Sequence, residues 1–322
     1  MLEIPKRINS EKRTGKAFRV TTITVRVKTN SIVAQSTDSG SLYKNSISIS
    51  GVKILILYRI KPSDFVKKTQ HKKVYICLDF INMNKNIVVI PTFNEIENIA
   101  DILRAVMHLD QPFDVLVVDD NSPDGTSEIV LQLAKDFPER IFLLKRMKKN
   151  GLGTAYVAGF EWALKRDYEY IFEMDADFSH NPKDLPFLLK TCQSGADVAI
   201  GSRYVKGVNV VNWPLNRVLL SYFASVYVRF ITGMHIMDTT AGFICYHRSV
   251  LEKIDLKKIK FVGYAFQIEM KYRAFCSNFK LKEIPIIFTD RTKGKSKMSG
   301  GIIKEAVFGV LQLRFKKIFN QL

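Results

Sequence analysis

Two carboxylates, Asp175 and Asp177, flank one alanine in "EMDADFSH", directly after the apolar run "YIF". On an extended segment residues i and i+2 share a face, so two like charges meet there and need compensation. A divalent cation supplies it. Mg2+ or Mn2+ takes six oxygens, commonly one or two carboxylates with phosphates and waters. A solvated turn in which Asp175 caps the next helix would carry the same letters, because so short a motif recurs by chance. Further acids and an arginine stand in similar places: Glu95 just after "NIVVIPTFN", Asp119 and Asp120 ending "DVLVVDD", and Arg203 ending "DVAIGSR". None of the five histidines (71, 108, 180, 235, 247) stands in a nucleophile–base arrangement, so each is read as surface or structural.

These residues need elements to position them. The β-branched run at 86–90 predicts a buried strand that Pro91 ends. Asn94 followed by Glu97 resembles a capping box, opening a helix with Ile99, Ile102, Leu103 and Val106 at helical spacing. Strands follow at 114–120 and 140–144, through "YEYIFEMDAD", and at 197–203. Helical patterns separate them, one with Ile129, Val130, Leu133 and Ala134 on a face and one in "GLGTAYVAGFEWALK". This alternation predicts an α/β fold with a mostly parallel, doubly wound central sheet and helices on both faces. Ligands of such sheets bind beyond the carboxyl ends of the strands, where Pro91–Glu95, Asp119–Asp120, Asp175–Asp177 and Gly201–Arg203 converge. The fragment "GLGTA" lacks the full G-x-G-x-x-G and follows the third strand, so it is not read as a dinucleotide site.

The chain has 322 residues, 47% hydrophobic and 25% charged, which fits a globular protein with a sizeable core. Its net charge of +18 favours acidic partners: nucleic acid, phosphorylated substrates or anionic lipid. The excess is uneven. Residues 1–82 hold 16 Lys and Arg against 5 Asp and Glu, and the remainder holds 33 against 26. That first stretch also carries Ser/Thr/Asn-rich runs without a steady period, and "VKILILY" (52–58) predicts one short strand. Residues 1–83 are therefore expected to form a basic, poorly ordered extension, as a start misplaced upstream of Met83 would also produce; a basic membrane- or RNA-binding arm is the functional alternative. No signal peptide is read there. The four cysteines (77, 192, 245, 276) show no metal-ligand spacing and read as reduced thiols of a reducing compartment.

"VVIPTFNEIENI", "VVDDNSPDGT", "GLGTAYVAGF", "EMDADFSHNP", "GSRYVKG" and "DTTAGF" together resemble the polyprenyl-phosphate mannosyltransferases. These are the dolichol-phosphate mannose synthases and their bacterial counterparts, family-2 glycosyltransferases of GT-A fold. The likeness runs in order over about residues 84–300, the expected catalytic domain, and "DDNSPDGT", "MDADFSH" and "DRTKGKSK" are its more specific parts. It implies transfer of mannose from GDP-mannose to a polyprenyl monophosphate with inversion. It implies Mg2+ or Mn2+ on Asp175 and Asp177, with Ser179 standing at a position that serves as ligand in relatives. It implies a nucleotide-sugar pocket of Pro91, Phe93, Glu95, Val118, Asp120, Asp175 and Ala176, in which Phe93 replaces the family's usual tyrosine. Arg203 and Arg217 match family positions near the phosphates, and Arg291, Lys293 and Lys297 lie on a basic loop able to close over the diphosphate. Asp177, Arg203 and Arg217 are the catalytic candidates.

No run of about 20 apolar residues spans a bilayer. Some relatives carry C-terminal spanning helices and some none, and this chain resembles the latter. "VLLSYFASVYVRFITGM" (218–234) and the amphipathic "GIIKEAVFGVLQLRFKKIF" within 301–322 suit helices at a lipid interface, or packing against a partner. The expected place of action is the cytoplasmic face of a membrane, peripherally, with no nucleic-acid partner; a membrane-anchoring partner subunit stays open. The alternatives are transfer of glucose or N-acetylglucosamine from a UDP-sugar to the same lipid class, and an inactive sugar-nucleotide-binding subunit. The order of "GSRY" and "DTTAGF" does not suit a nucleotidyltransferase, and the spanning helices of a processive polysaccharide synthase are missing.

Overall fold

The computed structural model describes residues 84–263, 265–291 and 301–319, and upstream the strands β1 (Ala34–Gln35), β2 (Ser41–Ile49) and β3 (Val52–Ile60). The chain divides into two units, Met1–Asn82 and Met83–Leu322. In the first, β1, β2 and β3 pair antiparallel in that order, with Ile49 opposite Val52. The sequence anticipates only one strand here. The Ser/Asn-rich β2 alternates polar and apolar residues only over Ser46–Ile49, too short a stretch to mark a nine-residue strand, and its length follows from pairing with the apolar β3. The rest of the expected extension lies outside the described residues.

The second unit is built on seven strands. These are β4 (Asn86–Thr92), β5 (Asp114–Asp119), β6 (Ile141–Lys145), β7 (Tyr170–Glu173), β8 (Val198–Ser202), β10 (Ile244–His247) and β11 (Leu281–Pro285). Their order is β11-β8-β10-β7-β4-β5-β6. All pairings are parallel except those of β10, which runs antiparallel to β7 and β8. Side chains alternate across the sheet: Ile87 and Val89 of β4 face one core, Val88 and Ile90 the other. On the second face lie α1 (Ile96–Met107), α2 (Thr126–Asp136) and α4 (Leu185–Gln193). On the first lie α3 (Leu152–Leu164), α5 (Leu215–Thr232), α6 (Arg248–Lys253), α7 (Ala265–Cys276) and α8 (Gly301–Ile318). The expected α/β architecture is present. Strand order reverses between β4 and β7, which puts the ends carrying Glu95 and Asp175 on either side of a switch point.

Two local expectations change. Pro91 lies within β4, opposite Val118, rather than ending it. It falls past Val89, the last β4 residue paired with β7, where the ladder no longer needs its N–H. Asn94 does not cap α1: it takes a left-handed φ of 55°, and Glu95 is the N-cap. The orphan Ile96 N–H is met instead from the next loop, by Asp124 Oδ2 at 3.1 Å. Gly153 serves packing, since a Cβ there would sit 2.7 Å from Phe261 O and from the Phe266 ring.

Candidate active site

The two acids project from a tight turn. The Met174 N–H continues the β7 ladder to Val89 O, and the chain then reverses through Phe178 at φ 61°. The Ser179 N–H donates to Asp177 Oδ1 at 3.0 Å, and the Asp175 N–H to His180 Nδ1 at 3.2 Å. Asp175 caps no helix; Asn181 caps the following 3-10 turn. Burial pushes His180 down to about 4, so the ring is neutral and, with Nδ1 accepting, protonated on Nε2. It stacks on Phe243 at 4.9 Å and buttresses the turn, a structural role as expected. Burial first, and the neighbouring Asp177 charge second, push Asp175 up to about 7, although solvent reaches 37% of its side chain. Two carboxylates held this close call for positive charge.

Arg291 provides some. A small ribbon of β9 (Val210–Val211) and β12 (Phe288–Thr289) delivers Asp290 and Arg291 to the rim. Arg291 Nη2 lies 2.6 Å from Asp177 Oδ2, and its Nη1 4.0 Å from Glu95 Oε1. Glu95, buried at the start of α1, also accepts from Asn98 Nδ2 at 3.0 Å. Asp175, Asp177, Glu95 and Arg291 therefore form one cluster. Lys293 and Lys297 lie outside the described residues.

Beside the cluster, Asp120 pairs with Arg146 at 2.8 Å, and Arg146 Nη2 donates to Thr154 Oγ1 at 2.9 Å. Lys149 Nζ sits 4.6 Å from the Phe93 ring centroid. The neighbouring Asp119 is structural: fully buried, it accepts from Thr92, Ser122 and Ser127 and so ties the loops after β4 and β5 together. Val118 and Ala176 are buried in opposite cores. A Cβ on Gly159 would sit 3.3 Å from Val118 Cγ2, so the Val118 side chain packs beneath α3.

On the other side, Arg203 leaves β8 and meets Asp238 of the "DTTAGF" segment through Nε at 2.7 Å and Nη2 at 2.6 Å, while its own N–H donates to the same carboxylate. Burial alone would raise Asp238, but the charge and hydrogen bonds of Arg203 hold it below the usual carboxylate range. Arg217, in the first turn of α5, pairs with Asp290 at 2.8 Å and lies 4.0 Å over Trp213. Asp175, Arg203 and Arg217 share the wall of one cavity of about 330 Å3. Much of its remaining lining is apolar side chains of α5, α7 and α8, among them Leu220, Phe223, Ile268 and Val307, and His180, Thr240 and Gln267 also border it.

The sequence reading missed what lies under this cavity. Glu173, fully buried at the end of β7, accepts from Gln267 Nε2 at 2.5 Å. Burial pushes it up to about 7, against the pull of Gln267 and Lys271. Lys271, lowered to about 8 by burial, donates to Ala241 O and Gln267 O and so anchors the segment that holds Arg203. The available signal was polar spacing in "FQIEMKYR": Gln267, Glu269, Lys271 and Arg273 are all buried in α7.

The described residues contain no cluster of three metal-binding side chains. The donor set is two carboxylates, hard oxygen ligands that suit Mg2+ or Mn2+ completed by phosphate oxygens and waters. Asp175 and Asp177 fit that requirement; Ser179, whose N–H orients Asp177, supports them.

Residues 87–255 match the model of Glycosyl transferase family 2. The chain is 49% identical over 228 residues to the polyprenol monophosphomannose synthase of Mycolicibacterium smegmatis, covering 71% of this chain and 86% of the relative. It is 45% identical over 224 residues to the undecaprenyl-phosphate mannosyltransferase of Micrococcus luteus, covering 70% and 91%. Among solved structures, glucosyl-3-phosphoglycerate synthase from Mycobacterium tuberculosis, crystallised with Mn2+, UDP-glucose and glycerol 3-phosphate, aligns with a TM-score of 0.51 at 15% identity. That alignment covers 72% of this chain and 80% of the other, and bears on the fold alone.

Proposed function

Because this chain belongs to glycosyl transferase family 2, we propose that it transfers mannose from GDP-mannose to a polyprenyl monophosphate, dolichyl or undecaprenyl, with inversion. The observation that carries the reading is the cavity that joins Asp175, Arg203 and Arg217 to an apolar wall of α5, α7 and α8. An anion on an apolar chain is the matching ligand, and both close relatives are named for such a lipid.

Phe93, Glu95 and Asp120, with the backbone at Pro91, face the base and ribose of the donor. Asp175 and Asp177 would hold Mg2+ or Mn2+ on the diphosphate, where the ion stabilises charge as the sugar–phosphate bond breaks. Arg291, with Lys293 and Lys297 beyond it, adds positive charge on the same side. Arg217 receives the lipid phosphate. A phosphate oxygen is anionic at neutral pH, so it attacks the anomeric carbon without a general base. The carbon–oxygen bond to the diphosphate breaks, GDP leaves with the electron pair, and this single displacement inverts the centre. Holding both reactants in line is the main task of the protein.

No helix among the described residues is long and apolar enough to cross a membrane. Exposed Leu219, Phe223 and Phe230 on α5, and Phe308, Phe315 and Ile318 on α8, offer an apolar face to a lipid surface. The two helices touch through Tyr227 Oη, which donates to Val307 O at 3.1 Å. We place the enzyme peripherally on the cytoplasmic face of a membrane. The free thiols of Cys192, Cys245 and Cys276 suit a reducing compartment.

The test is incubation with labelled GDP-mannose, UDP-glucose or UDP-N-acetylglucosamine and a polyprenyl phosphate in detergent, with Mn2+, followed by organic extraction. Label should enter the lipid phase from GDP-mannose and require the lipid phosphate. Transfer from a UDP-sugar instead, or from no donor, overturns the reading.

A further inference from the structure

The helix α8 is apolar on two opposite faces. Inward, Val310 and Leu313 are buried in the first core, and a Cβ on Gly309 would sit 2.7 Å from the Phe261 ring, so the helix rests directly on the segment that precedes α7. Outward, Phe308, Phe315 and Ile318 recur at helical spacing and each keeps 59% or more of its surface exposed, as does Phe319 just beyond them. Single exposed apolar residues are ordinary; a stripe of four on one helix face marks a surface that something covers.

The stripe is bordered by cations. At about 100° of turn per residue, Arg314 falls on one flank and Lys316 on the other. The Lys316 ammonium lies within hydrogen-bond reach of Lys260, an exposed residue of the segment beneath the helix. Burial first, and the Lys260 charge next, hold Lys316 below its usual range; Arg273 adds to the push and Glu269 opposes it. The acids of this neighbourhood are already engaged. Glu269 pairs with Arg273 at 2.8 Å and accepts the N–H groups of Lys260 and Phe261, and Asp255 stands 3.8 Å from Lys258. Two ammonium groups held this close call for an anion. On the other flank Arg314 and Lys317 bear on Cys276 at the end of α7.

We infer that α8 lies in the plane of a bilayer with its outward stripe among the acyl chains, and that Lys260 and Lys316 together bind the phosphate of an anionic phospholipid headgroup. This deepens the membrane placement proposed above and rests on it. Apolar side chains between two rows of cations match acyl chains beneath a plane of phosphates. A zwitterionic headgroup brings its own cation to that plane, so the match favours lipids of net negative charge. The stripe also runs into the acceptor cavity: Val307 of α8 and Phe223 of α5 line the cavity, yet are 40% and 60% exposed. A lipid whose phosphate reaches Arg217 leaves its tail at that mouth, so the bilayer that supplies the acceptor is the surface this face meets.

The experiment follows deuterium exchange of the full chain over residues 255–263 and 307–319, with neither donor nor acceptor present. Vesicles are added of phosphatidylcholine alone, or of phosphatidylcholine and phosphatidylglycerol in equal parts. The mixed vesicles should protect both segments, less so as salt is raised, and the neutral ones should protect them much more weakly. Each cation removed should raise the lipid needed for half protection by about 5-fold, so that Lys260→Gln with Lys316→Gln raises it by about 30-fold. Lys135→Gln with Lys190→Gln, exposed on α2 and α4 across the sheet, removes the same charge and should stay within about twofold. Equal protection by both kinds of vesicle, or an unchanged requirement in the Lys260/Lys316 variant, refutes the headgroup site. Protection of neither segment refutes the placement of α8 as well, even where residues 1–82 carry the chain to the vesicle. None of these outcomes bears on mannosyl transfer, which the detergent assay reads separately. GDP affinity by calorimetry reports folding; were the double variant to lose it, Lys260→Gln alone reads the same contact at about 5-fold.

Discussion

Arg291→Gln should tighten the binding of Mn2+ to the nucleotide-free protein. The guanidinium lies 2.6 Å from Asp177 Oδ2 and 4.0 Å from Glu95 Oε1, so an incoming cation competes with it for Asp177. Two unit charges about 4 Å apart interact by roughly 4 kcal/mol at an effective dielectric of about 20, an upper limit here. Arg291 keeps 24% of its side chain exposed and can swing aside, so the recoverable part is nearer that of a charged hydrogen bond, about 1.5–3 kcal/mol. Taking the lower end, removing the guanidinium should improve Mn2+ affinity by about 10-fold. Free Mn2+ is followed by electron paramagnetic resonance during titration of wild type, Arg291→Gln and Asp177→Asn, the last as the variant lacking the main ligand. Turnover should move the opposite way and fall, because the diphosphate loses a cation. Equal or weaker Mn2+ binding in Arg291→Gln would show that the guanidinium does not occupy the place a metal needs.

Asp177→Asn should lower turnover by about 100-fold or more, roughly 3 kcal/mol of transition-state stabilisation, with a smaller loss of GDP affinity. Arg217→Ala should instead raise the KM for the lipid phosphate and leave donor affinity near normal; equal loss of donor binding in both would erase the division into donor and acceptor halves. Asp238→Ala leaves the 10% exposed Arg203 guanidinium without its carboxylate and should cost about 3–5 kcal/mol in chemical denaturation. A loss under about 1 kcal/mol would mean that Arg203 finds solvent or another acid.

The strand ends were legible because they combine two loud signals. Runs such as "NIVVI" and "DVLVVD" are buried on both faces and bear β-branched residues, and the acids that follow them stand out against that texture. What was not legible lies in pairings across sequence. Arg203 and Asp238 are 35 residues apart, and Arg217 and Asp290 73 apart, with nothing in either neighbourhood naming the partner. The antiparallel β10 is four residues long and sits directly behind a motif that reads as loop. In α7 the usual rule that polar residues face water inverts: Gln267, Glu269, Lys271 and Arg273 all turn inward, and only the assembled fold shows why. Asn94 misled for a related reason, since the helix N-terminus it should have capped is served by Asp124 of the next loop.

These cross-sequence pairs change how the site's electrostatics must be understood. The chain carries +18, yet the rim arginines arrive already matched: Arg146 to Asp120, Arg203 to Asp238, Arg217 to Asp290 and Arg291 to Asp177. The pairs are not equivalent. Arg203–Asp238 is buried, with a carboxylate that also takes the Arg203 N–H, so parting it would strand a charge in the interior. Arg203 therefore contributes a fixed dipole and a rigid wall, and a mobile cation is not what it offers. Arg217–Asp290 and Arg291–Asp177 reach solvent and involve adjacent residues of one segment, Asp290 and Arg291. A displacement of that segment moves both pairs at once. A phosphate that draws Arg217 from Asp290 would then loosen the contact of Arg291 with Asp177, and a cation that claims Asp177 would in turn loosen Arg217 from Asp290. Under the proposed function, with lipid phosphate at Arg217 and metal at Asp177, donor-side and acceptor-side charge would be coupled through the neighbouring Asp290 and Arg291. That coupling predicts that lipid phosphate strengthens the binding of the metal–nucleotide donor, and that Asp290→Asn weakens the effect.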